Sequence, residues 1–144
     1  MSIKQISVFL ENKPGTLDKL MALMAENGID LRALSLAETK DFGIARMIVD
    51  DAFAAVNVLK NGDFIASLTP VLAFAVPDEP GGLSKLLTKF TAEKVNIEYM
   101  YAFLDVKRVG QACMIFRVSD TEASEKKLVN AGLKPLAQED LAEM

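Results

Sequence analysis

Histidine and tryptophan are both absent from the 144-residue chain, and cysteine occurs once, as Cys113. Without histidine the chain lacks the commonest general base, the Ser/His and Cys/His nucleophile pairs and the commonest zinc ligand. A single cysteine cannot form an internal disulfide or a CxxC metal or redox site, and it suits a reducing compartment. Positive charge is also scarce. Sixteen Lys and Arg against 20 Asp and Glu give a net charge of −4, with a pI near 4.9. No basic block interrupts that balance, so a nucleic-acid partner is not expected. No apolar run approaches the ~20 residues that span a bilayer. The opening residues, Met1 to Leu10, lack the basic start, apolar core and small-residue cleavage site of a signal peptide. These absences lead to the expectation of a non-catalytic chain without metal or other cofactor, away from membranes and in the cytoplasm.

What is present reads as globular: 51% of residues are apolar and 25% charged. The organising feature is an internal repeat. Asn12-Lys13-Pro14-Gly15-Thr16-Leu17, followed by Leu20, Met21 and Met24, is matched by Asp78-Glu79-Pro80-Gly81-Gly82-Leu83, followed by Leu86, Leu87 and Phe90. In both copies the apolar positions fall at i, i+3, i+4 and i+7, one stripe of an amphipathic helix. The spacing puts each proline at a helix start, where its fixed φ and missing N–H are harmless.

Around each turn the same order of elements follows. Strands are expected over Ile6 to Leu10 and Val71 to Val76. Each first helix stops at a short polar run, Asn27-Gly28-Ile29-Asp30-Leu31 or Lys94-Val95-Asn96-Ile97, with Gly28 suited to a left-handed helix end. Hairpins are expected from Ala33 to Thr39 with Gly43 to Asp50, and from Tyr99 to Val106 with Gln111 to Val118. Second helices span roughly Ala52 to Lys60 and Thr121 to Ala131, capped by Asp51 and Asp120. Phe64 to Leu68 and Lys134 to Leu136 supply a last short strand in each copy. Each half is thus βαββαβ, a ferredoxin-like α+β domain with an antiparallel sheet. The boundary falls near Leu68 to Pro70, giving domains of 1–68 and 69–144.

The second strands carry apolar residues on both faces: Leu34 and Leu36 against Ala33 and Ala37, and Met100 and Ala102 against Tyr99, Tyr101 and Phe103. Helices cover one face of such a sheet, so the other calls for a second sheet or a partner chain. A homodimer is the working expectation.

The run Leu10 to Leu17 followed by Asn27 to Leu31 resembles the ACT domain, a regulatory module of enzymes of amino-acid metabolism that also occurs in stand-alone tandem proteins. Pro80-Gly81-Gly82-Leu83 and Val95-Asn96-Ile97 carry the resemblance through the second half, so that it covers nearly the whole chain. It implies a regulatory module that binds a free amino acid where two ACT domains meet, acting on an enzyme of amino-acid metabolism. The family's binding positions correspond to Asn12, Gly15, Thr16 and Leu17 around Pro14, with Asp30 and Leu31 nearby. In the second copy they correspond to Asp78, Gly81, Gly82 and Leu83, with Asn96 and Ile97. The family often has asparagine where this chain has Asp30, and the second copy has Asp78 in its turn, so the two sites are not expected to be equivalent.

The chemistry of the residues agrees. A ligand carboxylate is held by the amides and positive dipole end of a helix N-terminus, and glycine permits close approach to that backbone. Asn12, Asp30, Asp78 and Asn96 offer acceptors for an ammonium, although the same residue types also satisfy local turn amides. The competing reading is an interaction domain that assembles through its sheets and binds no metabolite.

Overall fold

Alternation and helical periodicity translate directly into elements in the computed structural model, which describes residues 2–103 and 109–142. The chain divides into two compact units: an N-terminal unit, Lys4–Thr69, and a C-terminal unit, Pro70–Met144 together with Met1–Ile3. The N-terminal unit begins with residues 4–11 of β1 (Ile3–Glu11), in which Ile6, Val8 and Leu10 are buried while Phe9 and Glu11 are exposed. Then come α1 (Thr16–Glu26), β2 (Leu31–Glu38), β3 (Phe42–Val49) and α2 (Ala52–Asn61). Residues 65–69 of β4 (Ile65–Pro77) complete it. The strand order here is β2-β3-β1-β4, with β3 antiparallel to both β1 and β2. The alternate residues Ile6, Val8, Leu10, Ala45 and Met47 form one core with Leu20 and Met24 of α1 and Ala55, Val56 and Leu59 of α2.

The C-terminal unit repeats the scheme with residues 70–77 of β4, α3 (Gly82–Ala92), β5 (Ile97–Ala102), β6 (Gln111–Val118) and α4 (Thr121–Asn130), followed by α5 (Gln138–Ala142). Its strands run β4-β6-β5, with both pairs antiparallel. Three phenylalanines fill its core. The Phe90 ring lies 5.6 Å from Phe74, edge-on, and 4.9 Å from Phe116. On the opposite sheet face Ala73, Tyr101, Cys113 and Ile115 are also buried, as are Leu136 and Leu141.

The helix ends follow local chemistry. Asp51 and Asp120 cap α2 and α4, accepting from the amides of Ala54 and Ala123. Gly28 ends the first helix at φ 67°, and Lys94 takes nearly the same conformation, φ 56°, in the second copy. A side chain there costs strain that glycine avoids.

Three expectations need correction. The prolines do not open the helices: α1 and α3 begin at Thr16 and Gly82, two residues later. Lys13-Pro14-Gly15-Thr16 and Glu79-Pro80-Gly81-Gly82 are type II turns, with glycine at φ 87° and 86° in the third position. Each closes with an amide-to-carbonyl bond, Thr16 to Lys13 at 3.5 Å and Gly82 to Glu79 at 3.1 Å. The strands expected at Phe64 to Leu68 and Val71 to Val76 belong to one strand, β4. Lys134 to Leu136 forms no strand. That segment makes a backbone bond from the Leu136 amide to the Ala73 carbonyl before α5, an element the periodicity does not disclose. In the second hairpin β5 ends at Ala102, Phe103 continues the pairing with a bond from its amide to the Cys113 carbonyl at 3.0 Å, and the rest of the expected strand, 104–106, lies outside the described residues.

The two turns differ in their tolerance of a side chain. A Cβ on Gly15 would meet nothing, whereas one on Gly82 would run into the Pro77 carbonyl oxygen. Gly15→Ala is therefore expected to cost about 1–2 kcal/mol of left-handed strain. Gly82→Ala, which displaces backbone, should reach the upper part of the ~1–3 kcal/mol range of overpacking. Urea unfolding of both variants would test the order, and a Gly82→Ala protein as stable as the parent would contradict the close packing.

Candidate functional site

The turn of the N-terminal unit is built by three local constraints. β1 ends at Glu11, Pro14 and Gly15 reverse the chain, and Thr16 starts α1. The Asn12 side-chain amide secures the turn to the β2–β3 hairpin, donating to Glu38 Oε2 at 2.9 Å and to the carbonyls of Thr39 and Lys40 at 3.4 Å. Its backbone amide adds a bond to the Asp41 carbonyl at 3.0 Å. Glycine supplies no side-chain cap, so α1 starts without the hydrogen bond that Asp51 gives α2. The first-turn amides of a helix have no partner inside the helix, and together they present the positive end of its dipole.

Two clefts flank this turn. The larger, about 590 Å³, is lined by Phe9, Leu10, Glu11, Lys13, Pro14, Gly15, Thr16, Lys19 and Phe42, closed by residues 62–65. The smaller, about 320 Å³, is lined by Leu10, Glu11, Asn12, Lys13, Thr16, Leu17, Leu36, Glu38 and Gly43. Leu10, Glu11, Lys13 and Thr16 belong to both, so the turn forms the ridge between them. Lys13 Nζ lies 3.0 Å from Glu11 Oε2 on the exposed rim. Opposite charges thus sit side by side at the ridge.

The candidate residues from the sequence fall into two groups within each unit. Asn12, Pro14, Gly15, Thr16 and Leu17 cluster at the C-terminal end of β1. Asp30 and Leu31 lie at the start of β2. Glu11 pairs with Phe42 and Leu31 with Val49, seven residues apart on β3 or about 23 Å at ~3.3 Å per residue. In the C-terminal unit Asp78, Gly81, Gly82 and Leu83 are separated from Asn96 and Ile97 in the same way, with Pro77 opposite Gln111 and Ile97 opposite Val118.

Three of the four polar candidates have local partners. Asn12 is tied to the hairpin, and Asp30 Oδ2 lies 3.2 Å from Arg32 Nε. The Asn96 amide donates to Ser119 Oγ at 3.2 Å, and that hydroxyl donates in turn to Glu98. The Asp78 backbone amide bonds the Gly110 carbonyl at 2.9 Å, the counterpart of the Asn12–Asp41 bond.

Several cleft residues escape sequence reasoning: Phe9, Phe42, Phe64, Ile65, Lys19 and Asp63. One signal was available. Phe9 falls in the polar phase of β1, among Gln5, Ser7 and Glu11. Phe42 sits in the expected hairpin turn, where periodicity gives no facing. At the end of the second strand of the C-terminal unit, Tyr101 and Phe103 are buried. Among the described residues no group of three or more His, Cys, Asp or Glu is placed to hold a metal ion. No helix among them is long and apolar enough to cross a membrane.

The whole chain, residues 1–144, matches the family model of the ACT domain pair. No curated protein matches the sequence. A crystal structure of a protein from Bacteroides thetaiotaomicron is 38% identical, with a TM-score of 0.90, covering 100% of this chain and 98% of that one. The ligand-free regulatory subunit of aspartate kinase from Thermus thermophilus is 18% identical with a TM-score of 0.65, covering 91% of this chain and 93% of its own. The regulatory subunit of aspartate kinase from Thermus flavus, also 18% identical, has a TM-score of 0.62 and coverage of 92% of each chain. These last two share the fold. The match to the family model over every residue makes this chain a member of the ACT domain pair family.

Proposed function

We propose that the chain is a non-catalytic regulatory module that binds a free amino acid at the turn of its N-terminal unit and works on an enzyme of amino-acid metabolism in the cytoplasm. The observation carrying this reading is the pair of clefts on either side of an α1 N-terminus that has no side-chain cap. An α-amino acid presents a carboxylate and an ammonium a few ångströms apart. The first suits helix amides and the positive dipole end, and the second suits the carboxylate of Glu11 on the same ridge or of Glu38 in the smaller cleft beside it. Membership of the ACT family supports a regulatory role, as does the fold shared with regulatory subunits of aspartate kinase.

Asp30 and Leu31 stand too far from their own unit's turn to touch the same ligand. In this reading they meet it from a second copy of the chain, across an ACT–ACT interface in a homodimer. The C-terminal unit's Asp78, Gly81, Gly82, Leu83, Asn96 and Ile97 form the corresponding but inequivalent set.

Thermal unfolding against each of the twenty L-amino acids at millimolar concentration tests the proposal. A ligand at ~100 times its Kd adds about 2.7 kcal/mol, a rise in Tm of roughly 5–10 °C for a chain of this size. One amino acid or a related pair should give that shift. A flat panel would sink the ligand-binding reading and leave an interaction domain. Asn12→Ala should weaken the binding about tenfold, because the turn loses its tie to the hairpin. The exposed hydrogen bonds it removes are worth only about 1 kcal/mol of stability, so circular dichroism should remain unchanged.

A further inference from the structure

We propose that the larger cleft is the side-chain compartment of this site and that the amino acid it takes has a large apolar or aromatic side chain. This rests on the reading that the N-terminal turn binds an amino acid, and it adds which kind. Phe9, Phe42 and Ile65 are 53%, 56% and 71% exposed, and all three line the larger cleft. Alternation along β1 and β3 and the burial of Phe64 and Ala66 against the core put them on the sheet face away from α1 and α2. Exposed apolar side chains scattered singly need no explanation, whereas several converging on one concavity mark a place where something apolar is bound. At about 590 Å³ the cleft falls within the usual range for small-molecule sites, which are mostly apolar with a few placed polar groups.

The polar part of the lining selects for a neutral ligand. Lys13 and Lys19 are balanced by Glu11 and Asp63, so the cleft has no net charge with which to favour an acidic or basic side chain. Shape and apolar surface are left to discriminate. A zwitterionic head group at the ridge of Glu11, Lys13 and Thr16 would point its side chain towards Phe9, Phe42 and Ile65.

The C-terminal unit keeps the turn and loses the compartment. At the repeat spacing, Phe9, Lys13 and Thr16 become Ala75, Glu79 and Gly82. Phe64 and Leu133 each donate to the carbonyl five residues back, at Leu59 and Leu128, which aligns the two helix ends. On that alignment Phe64 and Ile65 become Leu133 and Lys134. Asp78 and Glu79 also bring two carboxylates to a turn that would have to receive a third. The chain therefore takes one amino acid, in its N-terminal unit.

Isothermal titration of the full chain with L-phenylalanine, L-leucine, L-isoleucine and L-methionine, and with L-serine, L-aspartate and L-lysine, decides the matter. The expected result is binding of a member of the first group at one per chain. Phe9→Ala and Phe42→Ala should each raise its Kd about tenfold, the loss of one buried ring contact. Phe53→Ala, an exposed phenylalanine outside the cleft, should change nothing. Tightest binding of serine, aspartate or lysine, unaffected by the Phe9 and Phe42 variants, would overturn the compartment while leaving amino-acid binding in place. Binding at two per chain would overturn the restriction to the N-terminal unit. No binding by any of them, with Phe9→Ala dissociating a dimer in sedimentation, would overturn both the compartment and the reading beneath it, making the apolar cluster a contact between copies.

Discussion

A left-handed glycine between a strand and a helix is the constraint on which both units depend. Gly15 and Gly81 hold φ near +87° at the third position of a type II turn, which reverses the chain tightly enough for α1 and α3 to pack back across their sheets. L-residues resist that conformation by roughly 1–2 kcal/mol, and proline before it presets the second position of the turn. The same glycine leaves the helix without a side-chain cap. Folding and an open helix end thus have one cause.

From that shared frame the two copies diverge in filling. The N-terminal core is made of leucine, methionine, alanine and valine, while the C-terminal core is organised by the rings of Phe74, Phe90 and Phe116. In the N-terminal unit Phe9 and Phe42 lie instead at the turn end of the sheet, turned to solvent, Phe53 is exposed on α2, and Phe64 packs against the core. Their positions differ more than their number. The C-terminal unit uses three rings for cohesion, whereas the N-terminal unit holds three of its four at a surface.

Much of this was legible before any coordinates. The 3.6-residue stripe of Leu17, Leu20, Met21 and Met24 and the caps at Asp51 and Asp120 rest on local chemistry that a sequence displays, and the structure contains both. The start of the helices was misjudged because proline suits both the first residue of a helix and the second of a turn. Only the φ of the following glycine separates the two. Lys94 carries no sign of its left-handed backbone, since the fold imposes it where the first copy has Gly28. The five-residue α5 is too short for periodicity to register and is held in part by Asp140, whose carboxylate accepts from the Ala137 amide at 2.7 Å. The larger cleft was out of reach because it joins residues from β1, β3 and the α2–β4 connection, separated by up to 56 positions. The misplaced Phe9 was its one trace in the sequence.

The contrast between capped and uncapped helices has a consequence for how occupancy could be felt. Asp51 and Asp120 finish α2 and α4 from within the chain, so those helices are complete as synthesised. Gly15 leaves the corresponding place at α1 without a side chain, and the carboxylate of the proposed ligand would fill it. Such a ligand would be, in effect, a detachable residue of the fold. Its arrival would be registered first as firmness in the opening turn of α1, and any message to a partner would begin as a change in local order there.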